Sequence, residues 1–231
     1  MYFREMNLTT AEFGGNRVDT VIIPVGSFEQ HSSHMCLGTD SLIATYISED
    51  VAKQTNSICI FPIVYGVSGL HKSFSGTIYV EPKHLYLYIK DVIRSLSGTF
   101  IKNILLVNGH GGNWFAINKA CEDLAELFNH IEVVQWWELI GNAFFSEPEC
   151  SHAGAQELSV LAYINKDFVR LDKVSNQIKN MDIDITECKD LSEVTLNGVV
   201  GVAKTYDIEK GGTVYRKVVE LLKNKIVEWK K

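Results

Sequence analysis

The sequence lacks a long apolar run and has no excess of basic residues. A membrane-spanning helix needs about 18 or more consecutive apolar residues, and none of the apolar runs approaches that length. Lys and Arg total 22 against 28 Asp and Glu, which gives a formal net charge of −6 at pH 7. Binding a nucleic-acid backbone requires a basic surface. We therefore expect neither a membrane nor a nucleic acid as the partner.

Paired cysteine motifs are also missing. The 5 cysteines are scattered along the chain and form no CxxC pair, so neither a disulfide framework nor a thiolate zinc site is indicated. The first residues lack the apolar segment of a secretory signal, and we expect a cytoplasmic protein. Without internal repeats or a low-complexity linker, residues 1–231 are expected to form a single domain. A chain of 231 residues with 46% hydrophobic residues can bury a substantial core.

Four short segments rich in Val and Ile read as strands buried on both faces. They are residues 19–25, 57–64, 103–108 and 131–137. Apolar residues repeat at helical spacing after residues 39–40, over 85–96, over 116–128 and over 214–229. This alternation predicts a three-layer α/β/α fold with a mainly parallel sheet. The stretch 166–210 has no clear pattern, and an irregular excursion or a partner contact would both account for it.

Chemically active side chains follow the predicted strands. Glu29, His31, His34 and Asp40 follow the first strand, His71 follows the second, Asn108, His110 and Asn113 follow the third, and His152 and Glu157 lie in SHAGAQE. Binding sites of open α/β sheets lie at the carboxyl ends of the strands. We therefore expect these side chains to converge on one rim of the sheet.

The combination of carboxylates and imidazoles predicts a metal site. Glu29 and His31 are two residues apart, so an extended segment would point both to the same side. Alone, a His is more often a surface or hydrogen-bonded residue, and Asp40 more often a helix cap. Burying Glu29, His31, Asp40 and His110 together would be costly without a cation. Zn, Mn or Fe suit such mixed ligands.

The segment NGHGGN around His110 also has a competing interpretation. Glycine-rich turns after strands can bind phosphate, but this one lacks the lysine of a P-loop and the spacing of a dinucleotide motif. The glycines leave room for a ligand beside His110. His71, Gly111, Gly112 and Asn113 are therefore the candidate substrate-binding residues, whereas His84 and His130 receive no role.

Five segments resemble the creatininase, or creatinine amidohydrolase, family. They are PVGSFEQHSSHMCLGTD from Pro24, HKSFSGT from His71, LLVNGHGGN from Leu105, SHAGAQELS from Ser151 and GVVGVAKTYDIEKG from Gly198. The resemblance implies a creatininase-like fold, two divalent ions per subunit and a homo-oligomer, usually a hexamer. Exposed aromatics near 136–145 (Trp136, Trp137, Phe144 and Phe145) could supply an interface, although core packing explains at least some of them equally well.

The resemblance also implies roles for the site residues. Glu29, Asp40 and His110 would hold one ion, while His31 and the bridging Asp40 would hold the second. Glu157 would complete the second ion's ligands or orient its water, and His152 would carry the proton to the leaving nitrogen. Two ions so placed would activate water and stabilise the oxyanion.

Departures from the family pattern bear on the substrate. Enzymes that open creatinine have a glutamate ligand where this chain has Gly112, and a tryptophan within the region that matches 138–151, which has none. Ala155 and Ser75 also differ from the usual residues. Creatinine is therefore disfavoured, and we expect hydrolysis of an amide, lactam or formamide C–N bond in a small molecule. A metal-dependent peptidase or amidase in peptide maturation, and a non-catalytic metal- or ligand-binding relative, are the alternatives. The metal-site residues and the candidate proton shuttle favour an enzyme.

Overall fold

A four-stranded parallel sheet forms the centre of the computed structural model, which describes residues 9–15, 18–176 and 188–231. The strands are β1 (Thr20–Val25), β2 (Ile58–Cys59), β3 (Asn103–Asn108) and β4 (His130–Gln135). They lie in the order β2–β1–β3–β4, and every neighbouring pair is parallel. Parallel neighbours need crossover connections, which here carry helices.

Helices cover both faces of the sheet. They are α1 (Thr10–Gly15), α2 (Thr39–Thr55), α3 (Pro82–Leu96), α4 (Trp114–Leu124), α5 (Ala155–Ile164) and α6 (Ile208–Trp229). One core cluster joins α2, α5 and α6 to the sheet, and a second joins α3 and α4 to it. The predicted three-layer α/β/α fold is confirmed.

Alternate residues of the central strands enter the two cores. Ile22 and Leu105 pack in the α2–α5–α6 cluster, whereas Ile23 and Leu106 pack in the α3–α4 cluster. All four side chains are fully buried. Successive side chains of a strand point to opposite faces, so a strand covered on both sides must be apolar throughout. This is why these segments read as continuous apolar runs.

Two predicted strands extend past the carboxyl ends of the strands in the structure. The predicted strand 57–64 is wrong beyond Cys59, because Pro62 has no N–H to donate and interrupts the ladder. The chain still runs beside β1, where the Ile63 N–H donates to Pro24 O at 2.9 Å. The predicted strand 131–137 ends instead at Gln135, where the chain turns.

Where it is described, the stretch 166–210 contains short 3-10 turns until α6 begins at Ile208, and residues 177–187 lie outside the described residues. Side-chain bonds to the backbone hold this irregular chain: Asn176 Oδ1 accepts the Ala203 N–H at 2.9 Å. Among the helices of the described ranges, none has the length and apolar character needed to cross a membrane.

The aromatic segment after β4 packs largely within the chain. Trp136 and Phe145 are each 1% exposed and belong to the α2–α5–α6 core, so core packing and not an exposed interface applies to these two residues. Trp137 and Phe144 are partly buried against the same core. Core packing therefore accounts for this segment.

The end of α6 is attached to the amino-terminal edge of the sheet. The rings of Trp229 and His130 stack with centroids 5.2 Å apart and planes 4° from parallel. Beyond them, Lys230 Nζ donates to Thr55 O at 2.7 Å. His130 begins β4, so these contacts lie at the amino-terminal ends of the strands. The candidate site residues follow the carboxyl-terminal ends of the strands, at the opposite edge of the sheet.

Candidate metal centre

The carboxyl ends of β1 and β3 and the start of α5 bring the expected side chains together. The resulting cluster contains Glu29, His31, Asp40, His110, His152 and Glu157. Glu29 and His31 lie in the loop after β1, and Asp40 lies in the first turn of α2. His110 follows β3. The parallel topology thus gathers residues that are far apart in the sequence at a single rim.

Asp40 lies between two imidazoles. Its Oδ1 is 2.9 Å from His31 Nε2, and its Oδ2 is 3.3 Å from His110 Nδ1. Glu29 Oε2 is 3.1 Å from the same His110 nitrogen, and Glu157 Oε2 is 3.8 Å from His31 Nε2. Asp40 can therefore contribute one oxygen to each of two neighbouring groups of ligands.

Three sets of donors are compact enough to hold an ion. In each set the ligand atoms lie within 4.8 Å of one another. The sets are Glu29, Asp40 and His110; His31, Asp40 and Glu157; and Glu29, His31 and His152. The first two share Asp40, as expected of a carboxylate that bridges two ions.

The burial of unpaired carboxylate oxygens supports a cation at this position. Both oxygens of Glu29 and the Oδ2 of Asp40 are buried and accept no hydrogen bond from the described residues. Leaving ionised oxygens unsatisfied in the interior is costly, and a divalent cation would compensate that cost. The residues present therefore fit a divalent metal.

Two imidazoles are oriented by backbone carbonyls. His110 Nε2 lies 3.0 Å from Val67 O and His31 Nδ1 lies 3.2 Å from Glu29 O, so each of these nitrogens carries the proton and donates it. In the neutral rings the opposite nitrogens then carry lone pairs. Those nitrogens, His110 Nδ1 and His31 Nε2, are the ones that face the carboxylates.

The pKa shifts show how strongly the carboxylates favour a positive neighbour. Burial alone would raise the pKa of Glu29, but the nearby His110 lowers it to about 2. Burial alone would lower the pKa of His31, but Asp40 raises it to about 10. Burial raises the pKa of Glu157 to about 7. The same attraction acts on a divalent cation, which replaces the protons that imidazoles would otherwise take up.

His152 and His71 lie nearer the carboxylates than the sequence indicates. His152 Nδ1 and His71 Nε2 are each 3.6 Å from Glu29 Oε1. Burial lowers the pKa of both imidazoles, and that of His152 falls well below its ordinary value. His71, expected as a substrate contact, therefore also lies beside a metal-ligand candidate.

Other polar residues near the rim support loops instead. Asn113 is fully buried, its Oδ1 accepts the Val67 N–H at 2.8 Å, and its Nδ2 donates to Gly26 O at 3.0 Å. The expectation that Asn113 contacts substrate is corrected, because both ends of its amide are used within the protein. His34 Nε2 likewise lies 3.1 Å from Ala153 O.

The two glycines after His110 differ in their surroundings. A Cβ at Gly112 would lie 2.3 Å from Val67 O and 2.6 Å from His110 Nε2. A Cβ at Gly111 would have nothing within 4 Å. Position 112 therefore has no room for the glutamate of creatinine-opening enzymes, whereas position 111 is open.

A cavity of about 540 Å³ opens over the cluster. Its walls include Asp40, His71, Gly111, Gly112, His152 and Glu157, together with Val67, Leu70, Phe115, Trp136, Trp137 and Leu191. Within the described part of the chain, no Lys or Arg lines it. The cavity therefore combines a polar floor with apolar and aromatic walls.

Gln30 is a residue that the sequence reasoning missed. It is 4% exposed and its amide nitrogen contacts the rings of both His71 and His152. Its position directly after Glu29 was the only available signal, because its partners come from distant loops.

These features define an α/β protein with a buried set of candidate ligands for a divalent metal. The creatinine amidohydrolase (creatininase) family model matches residues 5–226. The chain therefore belongs to the creatininase family, as its motifs predict, and is a hydrolase of that family.

Relatives of known name support this membership. The chain is 29% identical over 222 residues to the mycofactocin precursor peptide peptidase of Mycobacterium ulcerans, covering 91% of this chain and 85% of the relative. It is 25% identical over 231 residues to the creatinine amidohydrolase of Pseudomonas putida, covering 90% and 88%. A solved creatininase variant superposes with a TM-score of 0.83 at 26% identity, covering 96% of this chain and 97% of the other. Further solved creatininases are described as a Zn–Zn type and as a Mn form.

Proposed function

We propose that this chain is a two-metal amidohydrolase that cleaves an amide-type C–N bond in an uncharged small molecule. The observation that carries the proposal is the position of Asp40, whose two oxygens face His31 and His110 separately. Glu29, Asp40 and His110 would hold one ion, and His31, Asp40 and Glu157 the second. Zn, Mn and Fe all suit this mixture of imidazole and carboxylate.

The chain's own residues position the reaction. When bound, divalent ions polarise a carbonyl and lower the pKa of a water molecule. The Ala153 N–H donates to Glu157 Oε2 at 2.8 Å and holds that carboxylate toward His31. His152, kept neutral by burial, would take a proton at Nδ1 and deliver it to the leaving nitrogen.

The cavity indicates the chemical class of the substrate. A phosphate or carboxylate located away from the metal ligands would need a cationic side chain, and the described lining offers no Lys or Arg. The aromatic walls favour an apolar or planar group beside the scissile amide. Together with Gly112, which excludes a glutamate, these walls favour amides, lactams or formamides other than creatinine.

Peptide processing is the second candidate. It is favoured by the similarity to a mycofactocin precursor peptide peptidase, which extends over most of both chains. A cavity of about 540 Å³ with apolar and aromatic walls could also take the apolar end of a peptide. A peptide substrate would use the same polar floor, so the two candidates differ in the leaving group rather than in the centre.

The test combines metal analysis with a substrate screen. Protein reconstituted with Zn, Mn or Fe is expected to hold about two ions per chain, measured by elemental analysis. Asp40→Ala should lose both ions, whereas Asp91→Ala, an exposed site on α3, should retain them. Full metal content in Asp40→Ala would contradict the bridging role.

Mass spectrometry of incubations with amides, lactams, formamides and short peptides then separates the candidates. Turnover of the first three classes supports the main proposal, and release of a terminal fragment supports peptide processing. A metal-loaded protein that turns over none of them would support the non-catalytic alternative.

A further inference from the structure

We propose that Gln30 fixes the tautomers of His71 and His152, so that the two imidazoles present opposite chemistry to the metal centre. His71 presents an N–H, whereas His152 presents a bare nitrogen. The tautomers follow from contacts alone. Their catalytic meaning rests on the proposed amide hydrolysis.

The orientation of the Gln30 amide is set by the backbone. Its Oε1 accepts the Ser32 N–H at 2.9 Å, so its NH₂ group must face the other way. Ser32 has a φ of 59°, in the left-handed region, and this turn brings its N–H back toward Gln30. On the far side, Gly198 packs so closely that a Cβ there would lie 1.8 Å from Gln30 Oε1. The side chain is therefore held in place between two backbone segments.

The NH₂ group has two hydrogens and three neighbours. Its nitrogen lies 3.0 Å from His71 Nδ1, 2.9 Å from His152 Nε2 and 3.1 Å from Gly198 O. Gly198 O can only accept, which uses one hydrogen. The second hydrogen can serve only one of the two imidazole nitrogens.

A second contact of His152 resolves the choice. His152 Nε2 also lies 3.0 Å from Gln30 O, a carbonyl that can only accept. If Nε2 carries the hydrogen and donates it to this carbonyl, Gln30 donates its remaining hydrogen to His71 Nδ1. His71 Nδ1, Gly198 O and Gln30 O then each have a complementary partner, and one donor–donor approach remains, between Gln30 Nε2 and His152 Nε2 at 2.9 Å. The reverse assignment, with a bare His152 Nε2 and a hydrogen on His71 Nδ1, would create two mismatches, one at Gln30 O and one at the Gln30 NH₂ group. If His71 Nδ1 carried the hydrogen instead, it would face an NH₂ group that cannot accept it.

Both rings are thus held as Nε2–H tautomers, but they turn different ends toward Glu29. His71 Nε2, with its hydrogen, and His152 Nδ1, with its lone pair, are each 3.6 Å from Glu29 Oε1. Both residues line the cavity. His71 is therefore placed to donate to a substrate carbonyl oxygen, and His152 to accept a proton from water. Gln30 acts as a positioning residue for both.

The assignment can be tested by ¹⁵N NMR of zinc-loaded protein labelled at histidine. Protonated and bare imidazole nitrogens have well-separated ¹⁵N shifts, and His71→Gln and His152→Gln identify the signals. We expect an unprotonated Nδ1 in both rings. A protonated His71 Nδ1 in the unaltered protein would overturn the proposal, even if the variants below fail to fold.

Two substitutions test the cause. Gln30→Glu replaces the donor with an acceptor, so His71 should move its hydrogen to Nδ1. Gln30→Met keeps the length but removes the amide, so His71 should show mixed tautomers, whereas His152 should keep its Nε2–H because the backbone carbonyl of residue 30 remains. Gln135→Met, at another buried glutamine, should leave the two rings unchanged. Unchanged His71 and His152 signals in Gln30→Glu would refute the role of Gln30.

Kinetics with a substrate from the screen distinguish positioning from folding. In Gln30→Glu we expect kcat to fall about 10–100-fold with KM nearly unchanged and the metal content retained. Equal loss in Gln135→Met would show a structural effect only and would contradict the proposal. The NMR measurement needs no turnover, so a failure of the proposed hydrolysis and a failure of the tautomer assignment can be told apart.

Discussion

Single residues in the loop after β3 determine how His110 faces the carboxylates. The Val67 carbonyl accepts from His110 Nε2, and the missing side chain at Gly112 is what lets the two approach to 3.0 Å. A methyl group at position 112 would collide with both partners. The glycine is therefore tied to the orientation of a metal-ligand candidate.

Gly112→Ala should turn His110 away and weaken metal binding, with a loss of stability of about 1–3 kcal/mol from overpacking. Gly111→Ala is the matched control, because a Cβ there meets nothing within 4 Å. Metal titration and thermal unfolding of both variants measure the effect. Equal behaviour of the two variants would count against this account of His110.

Substitution of His152 distinguishes a role in proton transfer from a role in metal binding. If it carries the proton, His152→Ala should keep both ions and the fold but lose roughly 10²–10⁴-fold in turnover. Glu157→Ala should weaken metal affinity as well as rate, because it removes charge that holds the ion. Elemental analysis alongside kinetics gives both readouts. Loss of an ion in His152→Ala would instead make it a ligand, as its group with Glu29 and His31 permits.

At the residue level, the sequence sufficed to expect a cluster but not its inner contacts. Glu29, Asp40 and His110 could be predicted to meet because each follows or precedes an element whose end lies at the same rim. Gln30 could not, since its partners His152 and Gly198 are more than a hundred positions away. Asn113 is predicted to bind substrate for a similar reason, since only the fold shows that its amide is hydrogen-bonded to the backbone of Val67 and Gly26.

At the level of elements, α5 and α6 approach closely because a glycine lies between them. A Cβ at Gly211 would lie 2.3 Å from Ser159 C and O, in the backbone of α5. The Ser159 hydroxyl also accepts the Asp207 N–H at 2.9 Å, which fixes the start of α6. The position of α5, which carries Glu157 in its first turn, therefore depends on this crossing.

Gly211→Ala should destabilise the protein by about 1–3 kcal/mol, because backbone cannot move aside as a side chain can. Gly14→Ala in α1 is the control, since its Cβ would meet nothing within 4 Å and helical Gly→Ala is neutral or slightly stabilising. Chemical denaturation of both variants measures the difference. A Gly211→Ala protein as stable as the unaltered chain would show that the helices can separate without cost.

Elements whose apolar pattern runs over their whole length could be predicted. Elements that a proline interrupts, or that are too short to show a pattern, could not. Residues 103–108 were predicted as a strand with the bounds that the structure shows. The run 57–64 is equally apolar, and its apolar pattern alone does not show that the strand ends at Cys59, before Pro62. The short helix α1 and the turns within 166–176 have too few residues to show a period, so they could not be predicted.

For the whole molecule, the buried carboxylates connect metal binding to stability. An ion that binds only the folded chain stabilises it by about 2.7 kcal/mol at a concentration 100 times its Kd. For a chain of this size that corresponds to roughly 5–10 °C in Tm. Treatment with a chelator should lower Tm by this amount, and added Zn or Mn should restore it in scanning calorimetry. An unchanged Tm after addition of the chelator would argue against bound ions at the cluster.

The 4 tryptophans of the chain are divided between the two ends of the sheet. Trp136 and Trp137 line the cavity, and Trp114 begins α4 just after the glycines, whereas Trp229 stacks on His130 at the opposite edge. Intrinsic fluorescence therefore combines emission from tryptophans near the cavity with emission from Trp229 at the opposite edge. Replacing Trp229 with Phe would keep the ring stack and remove the remote emitter. The remaining tryptophan emission would come from residues at or near the cavity. Its intensity and wavelength would then respond to binding of a ligand in the cavity.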